Sequence, residues 1–154
     1  MPVYFFDTSA LVKRYVHEIG SIWVEAVTNP ATGNAIYILC MTEVEVTSAI
    51  IRRQRGGTLS ATDAATALAQ FRQDLAIEYN AIEVTPALLA TAVALVETHG
   101  LRAYDAVQLA AATTLQAYRA TLALTNLLFV SADHDLNTAA VAAGLSAEDP
   151  HMHS

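Results

Sequence analysis

Four acidic residues stand where carboxylates could act together. Asp7 directly follows the apolar run Val3-Tyr4-Phe5-Phe6, and Asp133 follows Leu127-Leu128-Phe129-Val130 at a distance of three residues. Glu45 lies early in a helix-forming stretch, and Asp105 is set among Leu101, Ala103, Tyr104, Ala106 and Val107. Two carboxylates about 5 Å apart repel by roughly 3 kcal/mol at an effective dielectric of 20, so such a cluster needs a cation or a shared proton. Hard oxygen donors without a supporting Cys or His set suit magnesium or manganese and disfavour zinc. Each acid also has a local explanation. Asp7 and Asp133 can cap helices or shape turns, and Glu45 stands three residues after Thr42, the spacing of a capping box. Asp105 is harder to explain locally, because an acid on an apolar helix face must reach solvent or find a partner.

The elements that would position these acids follow from the apolar pattern. Val3 to Phe6, Ala35 to Leu39, Asn80 to Val84 and Leu127 to Val130 read as short buried strands. Between them the spacing predicts helices: a short one over Ala10 to Tyr15 capped by Asp7-Thr8-Ser9, then Thr42 to Arg55 ending at Gly56-Gly57, and Ser60 to Tyr79. Further helices are expected from Thr85-Pro86 to His99-Gly100, over Ala103 to Tyr118, and from Asp135 to Ala143, closing at Gly144. Strands alternating with helices predict an α/β fold with a mainly parallel central sheet flanked by helices. In such sheets ligands bind beyond the carboxyl ends of the strands, where three of the acids are expected to lie near strand ends and Asp105 early in a helix.

Composition narrows the classes. The chain of 154 residues is one domain's length, with no Pro/Gly/Ser-rich linker and no internal repeat, and residues after Gly144 read as a loosely ordered tail. Mean hydropathy is +0.36, yet no apolar run approaches the roughly 20 residues a bilayer requires. The N-terminal stretch lacks the basic leader and apolar length of a secretory signal, so the expected location is the cytoplasm, with no membrane partner. The single cysteine, Cys40, follows Ile36-Tyr37-Ile38-Leu39 and is expected to be a buried, inert thiol. A net charge of -7 argues against nonspecific nucleic-acid binding by bulk electrostatics, so any contact with nucleic acid must be local. Basic residues do cluster, as Lys13-Arg14 and Arg52-Arg53-Gln54-Arg55, and they could line one groove or form solvated helix faces.

Four segments resemble the motifs of PIN-domain proteins, especially VapC-type toxins of toxin–antitoxin pairs. The first is Tyr4 to Tyr15 (YFFDTSALVKRY), followed by Glu18 and Gly20-Ser21; the second is Thr42-Glu43-Val44-Glu45-Val46-Thr47-Ser48-Ala49-Ile50. Leu101 to Ala110 (LRAYDAVQLA) resembles the third, and Val130-Ser131-Ala132-Asp133 with Leu136, Ala139-Ala140 and Gly144-Leu145 the last. The resemblance covers almost the whole chain and implies a PIN-like domain over residues 1–145 with a C-terminal tail at 146–154.

It also implies hydrolysis of RNA phosphodiester bonds with Mg2+ or Mn2+, with Asp7, Glu45, Asp105 and Asp133 as the catalytic acids. Asp7, Asp105 and Asp133 would hold metal, while Glu45 would support the site or help accept a proton. The Ser48-Ala49 that follows favours Glu45 over Glu43, which is left as an exposed acid in the first helical turn. Asp135 could add a ligand or replace Asp133. Thr8, Ser9 and Ser131 would orient carboxylates or water, or simply cap helices. Lys13, Arg14, Arg52, Arg53 and Arg55 are the candidates for RNA binding. The resemblance further implies a cognate antitoxin and a homodimer. His17, His99 and His134 lack the partners of a histidine-based nuclease, and His151 and His153 read as loose surface residues.

Two other classes compete. A PIN-like protein could act only as a binding module through protein or RNA contacts, but loss of a motif acid would favour that, and none is lost. A phosphoryl-transfer site with Asp7 as nucleophile would pair two acids after the first strand and use a later lysine, whereas the only lysine is Lys13. No glycine-rich phosphate loop supports nucleotide binding.

Overall fold

The computed structural model describes residues 1–153; Ser154, the end of the expected tail, lies outside the described residues. Five strands form one sheet: β1 (Val3–Phe6), β2 (Ala35–Leu39), β3 (Tyr79–Ile82), β4 (Leu128–Val130) and β5 (Ser146–Glu148). Their order is β3-β2-β1-β4-β5, and every neighbouring pair is parallel. Parallel neighbours need crossover connections, supplied here mainly by helices. These are α1 (Thr8–Leu11), α2 (Ser21–Thr28), α3 (Thr42–Arg55), α4 (Ala61–Ile77), α5 (Pro86–His99), α6 (Ala103–Thr121) and α7 (His134–Ala142). The expected α/β architecture with a parallel sheet is therefore present.

A central parallel strand is covered on both faces, which is why β1 is apolar throughout rather than alternating with polar residues. Its side chains point alternately to two cores. Val3 and Phe5 join Leu39, Phe129, Leu88, Leu109 and Leu136 on one side, and the Phe5 and Phe129 rings stack at 5.8 Å. Phe6 joins Ile36, Ile38, Val130, Ile50 and Phe71 on the other. The register Phe6↔Val130 brings the ends of β1 and β4 level, so the residues immediately after them, Asp7 and Ser131, emerge side by side.

Local signals act as expected at several helix ends. The Asp63 N–H donates to the Ser60 hydroxyl at 3.0 Å. Thr85 accepts from the Leu88 N–H at 3.1 Å, and Pro86 occupies the first turn of α5. The capping-box reading of Thr42 and Glu45 is overturned. The residue before α3 is Met41, it makes no side-chain cap, and Thr42 is already helical and buried. Its hydroxyl and the Glu45 carboxylate turn instead toward α6.

Some elements were not anticipated. The segment that forms α2 begins at Gly20, which supplies no capping side chain, so the usual start signal is missing. The residues after Gly144 form β5 and a 3-10 turn, Pro150–Met152, rather than a loosely ordered end. Pro150 is buried against Gly20, where an added methyl would lie 2.5 Å from the Pro150 carbonyl oxygen. His153 stacks on Trp23 with ring centroids 4.5 Å apart and bonds Glu148 at 2.7 Å, so it is not a loose surface group. Cys40 is a free thiol but only half-buried, because it stands just past the end of β2. Among the described residues no helix is long and apolar enough to cross a membrane.

Candidate functional site

Asp7 is 4% exposed and caps α1, with the Ala10 N–H donating to Oδ1 at 3.0 Å. The cap reading was thus correct, but it accounts for only part of this carboxylate's contacts. The Ser9 hydroxyl reaches Oδ1 at 2.8 Å and Oδ2 at 3.0 Å, and the Ser131 hydroxyl donates to Oδ2 at 2.7 Å. Both serines are held from the far side by main-chain donors: the Ala132 N–H reaches Ser9 at 3.0 Å and the Asp133 N–H reaches Ser131 at 3.0 Å. Burial pushes the Asp7 carboxyl up to about 6; the bonds from Ser131, Ser9 and Ala10 oppose that rise, and the negative charge of Asp105 adds to it.

Asp133 caps α7, accepting from the Leu136 N–H at 3.1 Å. With Asp105 and Asp135 it lines a cleft of about 500 Å³, joined by Arg102, His99 and Thr138. Burial raises Asp105 above the usual carboxylate range, Asp133 raises it further, and Arg102 pulls it back. Glu45 is also raised, first by burial and then by Asp105, while bonds from Thr8 and Gln108 lower it. Asp105 is therefore the common member: its charge is felt by both Asp7 and Glu45, and it in turn feels Asp133. Glu45 and Thr8 border an adjoining depression with Arg52, Arg53 and Tyr104.

The basic residues divide. Lys13 is 3% exposed and pairs with Glu18 at 3.2 Å. Arg14 pairs with Glu78 at 2.9 Å and with buried Asp74 at 3.4 Å. Both are engaged in ion pairs, Lys13 with half-buried Glu18 and Arg14 with Glu78 and buried Asp74, which speaks against a place for either on a phosphate path. Arg53 is also turned toward Glu18, with Nε at 3.0 Å. Arg52 and Arg55 are exposed, and of these two only Arg52 borders the depression beside Glu45. Glu43 is exposed on α3, as expected.

Sequence reasoning missed Gln108, Arg102, Tyr104, His99 and Thr138 as site neighbours. The first three carry a signal in their spacing. Tyr104 directly precedes Asp105, Arg102 stands three residues before it, and Gln108 follows it by three, which puts the Asp105 and Gln108 side chains on one face of α6.

The donor chemistry fits a hard divalent cation: oxygen ligands only, buried or half-buried, with charges that crowd one another around Asp105. Among the described residues no three Asp, Glu, His or Cys side chains are already drawn together as a closed metal-binding group. Magnesium keeps several waters and takes few protein ligands, so it does not require such a group.

A parallel α/β sheet with acids gathered beyond its strand ends defines the class, and the sequence places it more closely. The family model of the PIN domain matches residues 4–142, and the chain belongs to that family. None of the curated proteins matches the sequence. Among solved structures the fold is similar to PAE2754 from Pyrobaculum aerophilum, at 23% identity and a TM-score of 0.58, covering 99% of this chain and 95% of that one. It is also similar to VapBC2 from Rickettsia felis bound to a DNA fragment from their promoter, at 14% identity and 0.62, covering 96% and 98%. A toxin-antitoxin complex from Klebsiella pneumoniae matches at 20% identity and 0.59, covering 96% and 97%.

Proposed function

We propose that this chain is a magnesium- or manganese-dependent endoribonuclease and the toxin of a toxin–antitoxin pair. The observation that carries the reading is geometric: Asp105 and Asp133 line one cleft, and the Ser131 hydroxyl that bonds Asp7 also accepts the Asp133 N–H, so acids from separate parts of the chain meet beyond the strand ends. Membership of the PIN domain family supports nuclease chemistry. Likeness in fold to VapBC2 and to the Klebsiella pneumoniae complex supports a cognate antitoxin as partner. A homodimer is the proposed assembly.

Asp7, Asp105 and Asp133 are the residues that would hold the cation, with Asp135 on the same cleft as the alternative donor. Bound there, the cation supplies Lewis acidity that makes water a stronger acid and offsets negative charge at the phosphodiester. Ser9 and Ser131 fix the direction of the Asp7 carboxylate through the bonds described above. Glu45, raised by burial, is suited to take the proton of the attacking water, because a carboxylate of higher pKa is the stronger base. With a net charge of -7 the protein must grip RNA locally. Arg52 beside Glu45 and Arg102 beside Asp105 are the basic groups that would meet phosphates.

The test is cleavage of a long single-stranded RNA of mixed sequence with manganese, comparing the natural chain, the same chain in chelator, and Asp105→Asn. Internal cuts that vanish in both controls fit the proposal. Cuts that persist unchanged in Asp105→Asn reject it. RNA that is bound but never cut makes the chain a PIN-like binding module instead.

A further inference from the structure

We propose that Gln108 is a positioning residue that holds Glu45 for the reaction, an inference that rests on the nuclease reading above. Gln108 lies on α6 one turn after Asp105 and is 2% exposed. Its amide nitrogen stands 3.1 Å from the Thr42 hydroxyl, 3.3 Å from the Thr8 hydroxyl and 3.3 Å from Oε1 of Glu45. Thr8 follows Asp7 directly, Thr42 and Glu45 belong to α3, and Gln108 shares α6 with Asp105. One side chain thus ties together the three elements that carry Asp7, Glu45 and Asp105.

The direction of the amide follows from its partner. A carboxylate only accepts, so the NH2 must face Glu45 and the carbonyl must face away. That carbonyl oxygen is buried and has no partner among the described residues. An unmatched buried acceptor is costly, and an apolar side chain of the same length would fill the space without that cost. The benefit of an amide at this position is therefore on its donor side, toward Glu45 and the two threonines.

The chemistry of the donor also matters. A lysine or arginine here would neutralise Glu45 and hold it firmly ionised. The amide fixes its direction while leaving its charge uncompensated, which is what a group that must collect a proton requires. The same amide nitrogen also reaches the Thr8 hydroxyl, so Gln108 links Glu45 to the segment that carries Asp7.

A double-mutant cycle separates this role from one in packing. Gln108→Met, Glu45→Gln and the pair together are compared on long single-stranded RNA of mixed sequence with manganese, alongside urea unfolding. Gln108→Met is expected to lower kcat by about 10- to 100-fold and to leave KM within about twofold. The double variant should be no slower than Glu45→Gln alone. If Gln108→Met slows the Glu45→Gln background by the same factor as it slows the natural chain, the two act independently and the proposal is overturned. Should the methionine variant not fold, Gln108→Glu keeps the volume, replaces the donor by an acceptor, and is expected to show the same kcat loss.

A second measurement needs no activity. In nitrogen-15 spectra of the whole protein, the Gln108 side-chain NH2 pair is identified by its loss in the Gln108 variant. It should shift when Glu45→Gln is introduced; a pair that does not move overturns the contact itself. If the natural chain cuts no RNA, the nuclease reading fails and takes the catalytic role with it, while the spectrum still decides whether Gln108 holds Glu45.

Discussion

The Ser131 hydroxyl lies 2.7 Å from Oδ2 of Asp7 while accepting the Asp133 N–H at 3.0 Å, so it links two of the site's acid-bearing segments. The first link follows from the level ends of β1 and β4, and the second is local, spanning two residues. Ser131→Ala would leave the Asp133 N–H unmatched and remove the largest influence opposing the rise of Asp7. A loss of about 1 to 3 kcal/mol is expected in chemical denaturation, together with weaker manganese binding by calorimetry. A variant equal to the natural chain in both would show that this hydroxyl does not organise the site.

Asp7 also makes a definite pH prediction for the metal-free protein. Its carboxyl titrates near 6 when folded, against 3.8 as the ordinary value. Between these limits the folded state binds more protons than the unfolded one, so stability from this group is full below about pH 4 and declines as pH rises through 6. The contribution is on the order of 3 kcal/mol. In chelator, the difference in unfolding free energy between Asp7→Asn and the natural chain should grow in favour of the variant from pH 4 to 7.5. A difference that stays flat would contradict the raised carboxyl.

Cation binding should relieve the same crowding. At a hundred times the dissociation constant, linkage gives about 2.7 kcal/mol of stabilisation, or a Tm rise of roughly 5 to 10 °C. A manganese titration followed by thermal unfolding should show a saturable rise in the natural chain and a much smaller one in Asp105→Asn. Equal responses would move the cation away from Asp105.

Arg14 and Arg52 should separate stability from substrate contact. Arg14→Ala leaves Asp74, itself 1% exposed, without its cation, a loss expected to reach about 3 to 5 kcal/mol. Arg52→Ala removes an exposed group, and its effect on unfolding should stay within about 0.5 kcal/mol while KM for RNA rises. The reverse pattern would mean that the two arginines have been assigned the wrong roles.

Gly20 is the joint between α2 and the C-terminal segment. Its φ is +89°, and the Pro150 carbonyl leaves no room for a methyl. Gly20→Ala should cost on the order of 1 to 3 kcal/mol through strain and lost docking, and hydrogen exchange should quicken over residues 146–153. Unchanged exchange there would show that the joint does not secure the strand.

Much of the fold was legible because its signals are local. The apolar run Val3 to Phe6 announces a strand covered on both faces, and Ser60, Thr85-Pro86 and Gly100 announce helix ends by the hydrogen bonds they can make or spare. Elements without such marks were lost: α2 starts on a glycine with no capping side chain, and β5 is a three-residue edge strand, Ser-Ala-Glu, with none of the apolar pattern of a buried one. The site divides in the same way. Asp7, Glu45, Asp105 and Asp133 stood out as acids in or beside apolar stretches. Gln108 did not, since a glutamine on a helix is ordinarily a solvated residue and only its burial beside Glu45 makes it unusual.

By itself the sequence determined the alternation of strand and helix, the parallel sheet that follows from it, and the acids that can reach the strand ends, because periodicity, capping and chain direction are properties of short segments. Tertiary structure alone decided how charges are shared out. Lys13 and Arg14 look like free cations in the chain, but in the fold they are consumed by Glu18, Asp74 and Glu78. Asp7 looks like a helix cap and becomes a carboxylate raised by burial and by Asp105. Coulomb energy and desolvation depend on distance through space and on loss of water, and neither is fixed until segments far apart in the chain have packed.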